Sequence, residues 1–150
     1  MERSLVLLKP DAVQRQLMGT ILARIENRGL KIIGLKLIKM SRELAAKHYQ
    51  AHVDKPFYEG LVSFITSSPL LCIAIEGENA IALIRNTMGS TDPVDSMPGT
   101  IRGDLAMHIG RNLMHGSDSV EEGKREIGLF FSQDELITYS LANNAWITEP

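Results

Sequence analysis

The chain has 150 residues, of which 44% are hydrophobic and 23% are charged, and these values are close to the average for soluble globular proteins. This length predicts one domain over residues 1–150, with a core that needs no disulfide or structural metal. The net charge of −2 argues against DNA or RNA as a bulk partner, because domains that bind nucleic acid usually carry a basic surplus.

Cysteine content and hydropathy predict the location of the protein. Cys72 is the single cysteine, so no internal disulfide can form, and this fits a reducing compartment. The longest apolar runs, such as Leu5–Leu8 and Leu70–Ile75, are far too short to span a bilayer. The N-terminus lacks the pattern of a signal peptide, since Lys9–Pro10–Asp11 follows after only a few apolar residues. We therefore predict a cytoplasmic protein without a membrane segment.

The chain begins with an alternation of predicted strands and helices. Ser4–Lys9 is a short apolar run closed by Pro10, which indicates a buried strand. Asp11 is expected to cap a helix whose apolar residues recur at helical spacing until Gly29. Leu30–Met40 is rich in isoleucine and leucine and predicts a second strand.

The same alternation continues through the middle of the chain. Ser41 is expected to cap a helix that continues to Tyr49, and Phe57–Ile65 predicts another short helix. Leu70–Glu76 predicts a further buried strand, and Asn79–Met88 reads as the helix that follows it.

The last part of the chain begins with a long loop. Gly89–Thr100 contains two glycines and two prolines, and loops of this length in compact domains are often functional. Ile109–His115 predicts the last strand. Ser119–Glu122 predicts a capping box that starts a helix, and the same signature is repeated at Ser132–Glu135. Four strands alternating with helices suggest an α/β or α+β sandwich whose strand order is left open.

The segment Arg111–Ser119 contains residues suited to covalent chemistry on a histidine. His115 ends the predicted strand, and Gly116 removes side-chain bulk beside its ring, so that a large anion could approach. Ser117 can hydrogen-bond the ring or a ligand oxygen, while Glu126 on the next helix could hold one ring nitrogen and orient the other for attack. Neutral imidazole is nucleophilic near pH 7, since its unperturbed pKa is about 6.5. The spacing alone leaves open an ordinary histidine at a strand end.

Several separated motifs resemble those of one enzyme family. The heptapeptide Asn112–Asp118 is similar to the active-site signature of nucleoside diphosphate kinases. The resemblance covers nearly the whole chain and implies a ferredoxin-like α+β fold (an α/β sandwich) with a four-stranded antiparallel sheet covered by helices. It extends to Leu7–Val13, His48–Tyr49, Lys55–Phe57 and Pro98–Asp104.

The resemblance implies a ping-pong phosphotransferase. The γ-phosphate of a nucleoside triphosphate, typically ATP, would pass to His115 and then to a nucleoside diphosphate, with Glu126 and Ser117 supporting the imidazole. Phosphoryl transfer places charge on several oxygens, so catalysis depends on groups that position and neutralise them. The resemblance assigns phosphate contacts to Lys9, Arg85, Thr91 and Arg102, with Tyr49 beside them.

The resemblance also implies how the rest of the nucleotide is bound. Phe57 matches the base-stacking residue, and Leu61 and Ile109 line the same slot. Stacking tolerates every base, because every base has a π-face, and this implies broad base specificity. Lys9 and Asn112 match residues that contact the sugar hydroxyls. Mg²⁺ would arrive with the nucleotide phosphates rather than being held in a protein cage.

Assembly is a further implication of the resemblance. Asp92–Thr100 resembles the segment that packs at a trimer axis, and Asn144–Glu149 resembles the C-terminal tail of hexameric members. Burial of Trp146 at an interface is the natural use of a tryptophan near a terminus. We predict a homohexamer, with a homotetramer as the alternative.

Two other functions are compatible with parts of the pattern. A phosphatase with a histidine nucleophile would also trap phosphate on His115 but release it to water. Its usual Arg-His-Gly signature is absent, because three residues separate Arg111 from His115. A non-catalytic nucleotide-binding module could share the fold, since fold does not imply function. The intact set of motif residues argues against that module.

Overall fold

A four-stranded antiparallel sheet forms the centre of the computed structural model, which describes residues 1–150. The strand order across the sheet is β2-β3-β1-β4. With helices covering this sheet, the predicted ferredoxin-like α+β sandwich is confirmed. The strands are β1 (Glu2–Leu8), β2 (Lys31–Ile38), β3 (Leu70–Gly77) and β4 (Met114–Gly116).

Seven α-helices and four short 3₁₀ helices connect the strands. No helix combines the length and the apolar character needed to cross a membrane. The α-helices are α1 (Pro10–Gln14), α2 (Met18–Asn27), α3 (Arg42–His48), α4 (Tyr58–Ile65), α5 (Ala80–Met88), α6 (Ile101–Leu105) and α7 (Val120–Phe130). The 3₁₀ helices are Gln50–His52, Pro93–Asp95, Gln133–Glu135 and Asn144–Trp146.

The sheet separates two buried apolar clusters, because successive residues of a strand point to opposite faces. Val6 and Leu8 of β1 belong to the cluster under α2 and α5. Leu5 and Leu7 belong to the other cluster, under α3, α4 and α7. Leu7 lies opposite His115 in the register of β1 and β4, and paired residues share one face of a sheet. This register places His115 on the face that α3, α4 and α7 cover.

The helix predicted from Asp11 to Gly29 is two helices in the structure. The chain between α1 and α2 includes Gln16, whose φ of 57° is left-handed and incompatible with a continuous helix. Asp11 does not cap α1, because Lys9 is the N-cap residue. Instead the Asp11 carboxylate accepts a hydrogen bond of 2.9 Å from the backbone N–H of Leu113 and so ties α1 to the approach of β4.

The strand predicted at Ile109–His115 is wrong over most of its length, since only its last two residues belong to β4. His108 and Arg111 form an isolated bridge, so the residues between them turn back on themselves. Leu113 has a φ of 74°, which is outside the range of an extended strand. His115 consequently lies in the middle of a three-residue strand rather than at the end of a long one.

The capping predictions are confirmed in part. The Ser41 side chain accepts a hydrogen bond from the N–H of Leu44, and α3 follows as predicted. Ser119 caps α7 through the N–H of Glu122, but the Glu122 carboxylate pairs with a neighbouring arginine instead of completing a capping box. The complete box is found at Ser132, where it starts only a 3₁₀ turn.

Candidate active site

A cleft of about 500 Å³ opens beside β4, on the sheet face that α3 and α7 cover. Its walls combine imidazole, guanidinium and carboxylate groups with few apolar side chains, and such a lining suits a charged ligand. The charged and aromatic residues that line it are His48, Tyr49, His52, Arg85, His115, Asp118, Glu122, Arg125 and Glu126.

His115 and Glu126 are in direct contact inside this cleft. Nε2 of His115 lies 2.8 Å from Oε2 of Glu126, and the histidine side chain is 29% exposed while that of the glutamate is 5% exposed. Burial by itself raises the pKa of Glu126, but the contacts from His115 and Ser117 outweigh it and hold the pKa below its usual value. The carboxylate is therefore ionised at neutral pH. It favours a proton on Nε2 and leaves the lone pair on Nδ1 of His115.

Ser117 contacts the carboxylate rather than the imidazole. Its hydroxyl donates to Oε1 of Glu126 at 2.6 Å and accepts from the backbone N–H of Leu5 at 2.9 Å. The residue is fully buried, so the expectation that it bonds the ring or a ligand oxygen is wrong. The reason is that β1 and α7 enclose the hydroxyl from both sides. Ser117 can act on His115 only by orienting Glu126.

Gly116 is also used differently from the sequence-based expectation. A Cβ atom on this residue would lie 2.8 Å from the Ile84 side chain and 2.9 Å from Sδ of Met88. Both neighbours belong to α5 and to the buried cluster on the opposite face of the sheet from His115. Gly116 therefore permits close packing of α5 on β4 rather than clearing space beside the imidazole.

His48 is a neighbour of His115 to which the sequence analysis assigned no role beyond its place in the motif His48–Tyr49. The two rings meet edge to face, with centroids 4.8 Å apart. Nδ1 of His48 lies 3.6 Å from Oε2 of Glu126. Burial, followed by the nearby His115, lowers the pKa of His48 to about 3, so its ring is neutral at physiological pH. The motif His48–Tyr49 was the one sequence feature that could have predicted a position for His48 at the site.

The residues predicted to hold phosphates do not all meet in the cleft. Arg85 lines it, and its Nη1 donates to the carbonyl oxygen of Gly116 at 3.3 Å. Tyr49 lines it as well, and burial raises the pKa of Tyr49 to about 12, so the phenol stays protonated. Thr91 lies outside the lining residues, where its carbonyl oxygen accepts from Nδ2 of Asn112 at 2.8 Å.

Lys9 and Asn112 are brought together from distant parts of the chain. The Lys9 ammonium donates to Oδ1 of Asn112. Burial, together with the positive charges of Arg102 and Arg111, lowers the pKa of Lys9 to about 8, although Asp11 opposes the shift. Lys9 and Asn112 thus form one polar group beside Thr91, consistent with a shared ligand contact.

The predicted base slot follows one face of α4. Phe57, Leu61 and Phe64 are spaced so that they lie on the same side of the helix. The ring of Phe57 is 51% exposed and lies 5.6 Å from that of His52, which lines the cleft. Ile109 is 52% exposed on the turn before β4. At the other end of the face, the Arg111 guanidinium stacks 4.2 Å from the centroid of Phe64.

Arg102 lies outside the residues that line the cleft and is buried, with an exposure of 4%. Three of its nitrogens donate to backbone carbonyl oxygens, at 2.7 to 3.1 Å. Burial lowers its pKa to about 10, so it remains charged at neutral pH. It joins the long loop to the approach of β4, because its acceptors are the carbonyl oxygens of Gly89, Asn112 and Met114.

Replacing Arg102 by methionine is expected to lower the free energy of unfolding by about 3 kcal/mol, because it leaves buried carbonyl groups without donors. Urea denaturation followed by circular dichroism measures the change. The matched control is Arg15→Ala, which removes one exposed bond to the Leu105 carbonyl oxygen and should change stability by about 0.5 kcal/mol or less. Equal costs for the two variants would show that the three buried bonds add no stability.

Comparison with known proteins places these features in context. The family model described as nucleoside diphosphate kinase matches residues 2–136. The chain is 58% identical over 149 residues to nucleoside diphosphate kinase from Herpetosiphon aurantiacus, covering 99% of this chain and 100% of the relative. It is 56% identical over 147 residues to the protein of that name from Thermomicrobium roseum, covering 98% and 99%.

Solved structures of similar proteins agree with this relationship. The halophilic nucleoside diphosphate kinase from Halobacterium salinarum in complex with CDP superposes with a TM-score of 0.96 at 49% identity, covering 99% of each chain. A nucleoside diphosphate kinase family protein from Babesia bovis gives a TM-score of 0.96 at 42% identity, covering 99% of this chain and 100% of the other.

Proposed function

The chain belongs to the nucleoside diphosphate kinase family, whose enzymes transfer phosphate between nucleotides, and we propose that it works by a ping-pong mechanism through phosphorylated His115. The donor is a nucleoside triphosphate, typically ATP, and the acceptor is a nucleoside diphosphate. The observation that carries the proposal is the 2.8 Å contact between Nε2 of His115 and the buried carboxylate of Glu126 in an open cleft.

In the first half-reaction, Nδ1 of His115 attacks the γ-phosphorus while the bond to the bridging β–γ oxygen breaks. The nucleoside diphosphate leaves with that electron pair. The imidazole gains positive charge as the N–P bond forms, and the Glu126 carboxylate beside Nε2 stabilises this charge. Ser117 keeps the carboxylate in place through its 2.6 Å bond. A second nucleoside diphosphate then takes the phosphoryl group by the reverse of these steps.

Phosphate binding is assigned to Lys9, Arg85, Thr91 and Arg102, with Tyr49 at the edge of the cleft. Guanidinium groups match phosphate oxygens in shape and charge. Arg102 uses three of the five N–H groups that a guanidinium carries on carbonyl oxygens, which leaves two for a ligand. Arg102 can therefore hold the surrounding backbone in place and still donate hydrogen bonds to a phosphate.

Mg²⁺ is proposed to enter with the nucleotide. The cleft contains few free oxygen ligands, because Glu122 is paired with Arg125 and Glu126 is in contact with His115. Asp118 lines the cleft without a hydrogen bond or an ion pair of its own. This donor set fits an ion that keeps most of its phosphate and water ligands and touches the protein little. The bound ion would neutralise charge on the phosphate oxygens.

The base is proposed to stack on Phe57, with Leu61 and Ile109 beside it, while Lys9 and Asn112 contact the sugar hydroxyls. The relative from Halobacterium salinarum was solved with CDP, so a pyrimidine nucleotide is accommodated by that protein. Half-exposed Phe57 offers a face that any base can use, which supports broad base specificity.

Replacing Phe57 by alanine is expected to weaken the binding of ADP, GDP and CDP by similar amounts, about 1–3 kcal/mol each, through loss of stacking. Isothermal titration calorimetry measures the three affinities. Val53→Ala provides a control, because Val53 is 54% exposed on the same segment and offers no aromatic face. Loss of affinity for one base alone would contradict the stacking model.

The assembly is proposed to be a homohexamer of the 150-residue domain, with a homotetramer as the alternative. In the single chain Trp146 is 91% exposed and Ile147 is 40% exposed. Val94 and Met97 are 82% and 72% exposed on the loop assigned to a trimer axis. Burial of these apolar side chains against neighbouring subunits would stabilise the assembly.

The free, buried Cys72 thiol is consistent with the proposed cytoplasmic location.

The mechanism is tested by incubating the protein with γ-labelled ATP and Mg²⁺ but no acceptor, and then adding GDP. The expected result is acid-labile label on the protein that moves to GTP when GDP is added. Label released as inorganic phosphate would instead support the phosphatase, and absence of labelled protein would exclude a covalent intermediate.

A further inference from the structure

We propose that His48, His115 and Glu126 form a cation site separate from the Mg²⁺ of the nucleotide, and that this site takes a divalent transition metal of the Zn²⁺ class. The three residues come from α3, β4 and α7, so only the tertiary fold creates the group. One ligand atom from each residue lies within 4.8 Å of the other two.

The distances are close to those of a metal site. Zn²⁺ binds imidazole nitrogen and carboxylate oxygen at about 2.0–2.2 Å, so tetrahedral ligand atoms lie roughly 3.3 Å apart. Oε2 of Glu126 is 2.8 Å from Nε2 of His115 and 3.6 Å from Nδ1 of His48. These two separations bracket the required value, whereas the third separation, between the two imidazole nitrogens, is at most 4.8 Å, so the rings would move toward each other as the ion binds.

An unpartnered buried nitrogen points independently to a ligand. Nδ1 of His48 is buried without a hydrogen-bond partner, and the side chain is only 2% exposed. A buried polar atom left without a partner destabilises the fold, so such atoms are rare unless they serve a ligand or a function. A coordinated cation would use the lone pair of this nitrogen and so give it a partner.

The donor set determines which ion binds. Two imidazoles and one carboxylate are typical ligands of Zn²⁺ and related ions, whereas Mg²⁺ prefers oxygen ligands in octahedral geometry. Three protein ligands leave a fourth position for water or another small ligand. The 29% exposure of the His115 side chain gives an ion in the cleft access to the group.

Metal binding would compete with phosphorylation of His115, and this consequence rests on the proposed function. The ion replaces the proton on Nε2, which is released to solvent, and takes Glu126 as a ligand. A coordinated imidazole donates electron density to the cation, so the lone pair on Nδ1 becomes a weaker nucleophile. Zn²⁺ is therefore expected to inhibit formation of the labelled protein even with Mg²⁺ in excess.

The experiment titrates nucleotide-free protein with Zn²⁺ by calorimetry and with Co²⁺ by visible absorption, which reports four-coordinate geometry. His48→Phe should keep the aromatic packing on His115 but remove the ligand nitrogen. We expect one Zn²⁺ per chain for the wild type. We expect affinity to fall in the variant by more than the ~10–100-fold seen when only an outer-shell partner is lost. His108→Ala, in the exposed turn, should bind as the wild type does.

His48→Leu serves as a second variant if the phenylalanine disturbs the fold, and circular dichroism compares all four proteins. Unchanged affinity in a folded His48 variant, or no Zn²⁺ binding by the wild type, overturns the proposed site. Neither outcome affects labelling by ATP with Mg²⁺, which tests the phosphohistidine separately. Failure of labelling with normal Zn²⁺ binding would overturn only the proposed function.

Discussion

Replacement of His115 by alanine is expected to abolish phosphate transfer while leaving the fold and nucleotide binding largely intact. The methyl side chain cannot accept the γ-phosphoryl group, so no covalent intermediate can form. Loss of a covalent nucleophile lowers turnover by on the order of 10⁵–10⁶-fold. The ring is part of an open cleft and of neither buried apolar cluster, so its removal should not disturb the core.

Steady-state transfer from ATP to GDP and acid-labile labelling by γ-labelled ATP measure this effect. His108→Ala is the control, because His108 lies on the exposed turn before β4 and outside the cleft. It should retain wild-type turnover. Appreciable transfer by a clean preparation of His115→Ala would falsify the covalent mechanism.

Replacement of Glu126 by glutamine is expected to reduce the rate of His115 phosphorylation by about 10³–10⁴-fold. The substitution preserves shape but removes the negative charge beside Nε2. The amide can donate to Nε2, which would place the ring proton on Nδ1 and remove the nucleophilic lone pair. The charge that develops on the imidazole during attack would also lose its stabilising partner.

The labelling rate under single-turnover conditions isolates this step from product release. Glu121→Gln is the matched control, since it makes the same chemical change on an exposed residue of α7, and it should label at the wild-type rate. Nucleotide affinity should be similar in all three proteins. A Glu126→Gln variant that labels as fast as the control would show that the carboxylate does not set the tautomer of His115.

Much of the fold could be predicted from local patterns. Apolar runs identified β1, β2 and β3, and the capping serine before α3 was assigned correctly. Predictions from hydrophobic periodicity were wrong where a single residue adopts a backbone conformation with positive φ. Gln16 separates α1 from α2 and Leu113 shortens β4, and both have positive φ values. Neither residue is a glycine, so the sequence contains no signal for these conformations.

The sequence by itself determined the family, the enzyme class, the fold and the identity of the candidate nucleophile. It did so because the motif around His115 and the patterns of the strands are short-range properties of the chain. The partners of that histidine were decided only by the tertiary structure. The register of β1 and β4 turned His115 toward α7, and α3 placed the buried ring of His48 against it.

The same physical reason explains the roles that were predicted incorrectly. Gly116 directly follows His115, and because successive strand residues point to opposite faces, it packs against α5 rather than beside the imidazole. Ser117 follows β4 and is enclosed by β1 and α7, so it contacts Glu126 instead of the imidazole. Arg102 was predicted only as a phosphate contact, and its burial and its bonds to three carbonyl oxygens were visible only in the structure. Contacts between residues far apart in sequence depend on packing, and no local pattern encodes them.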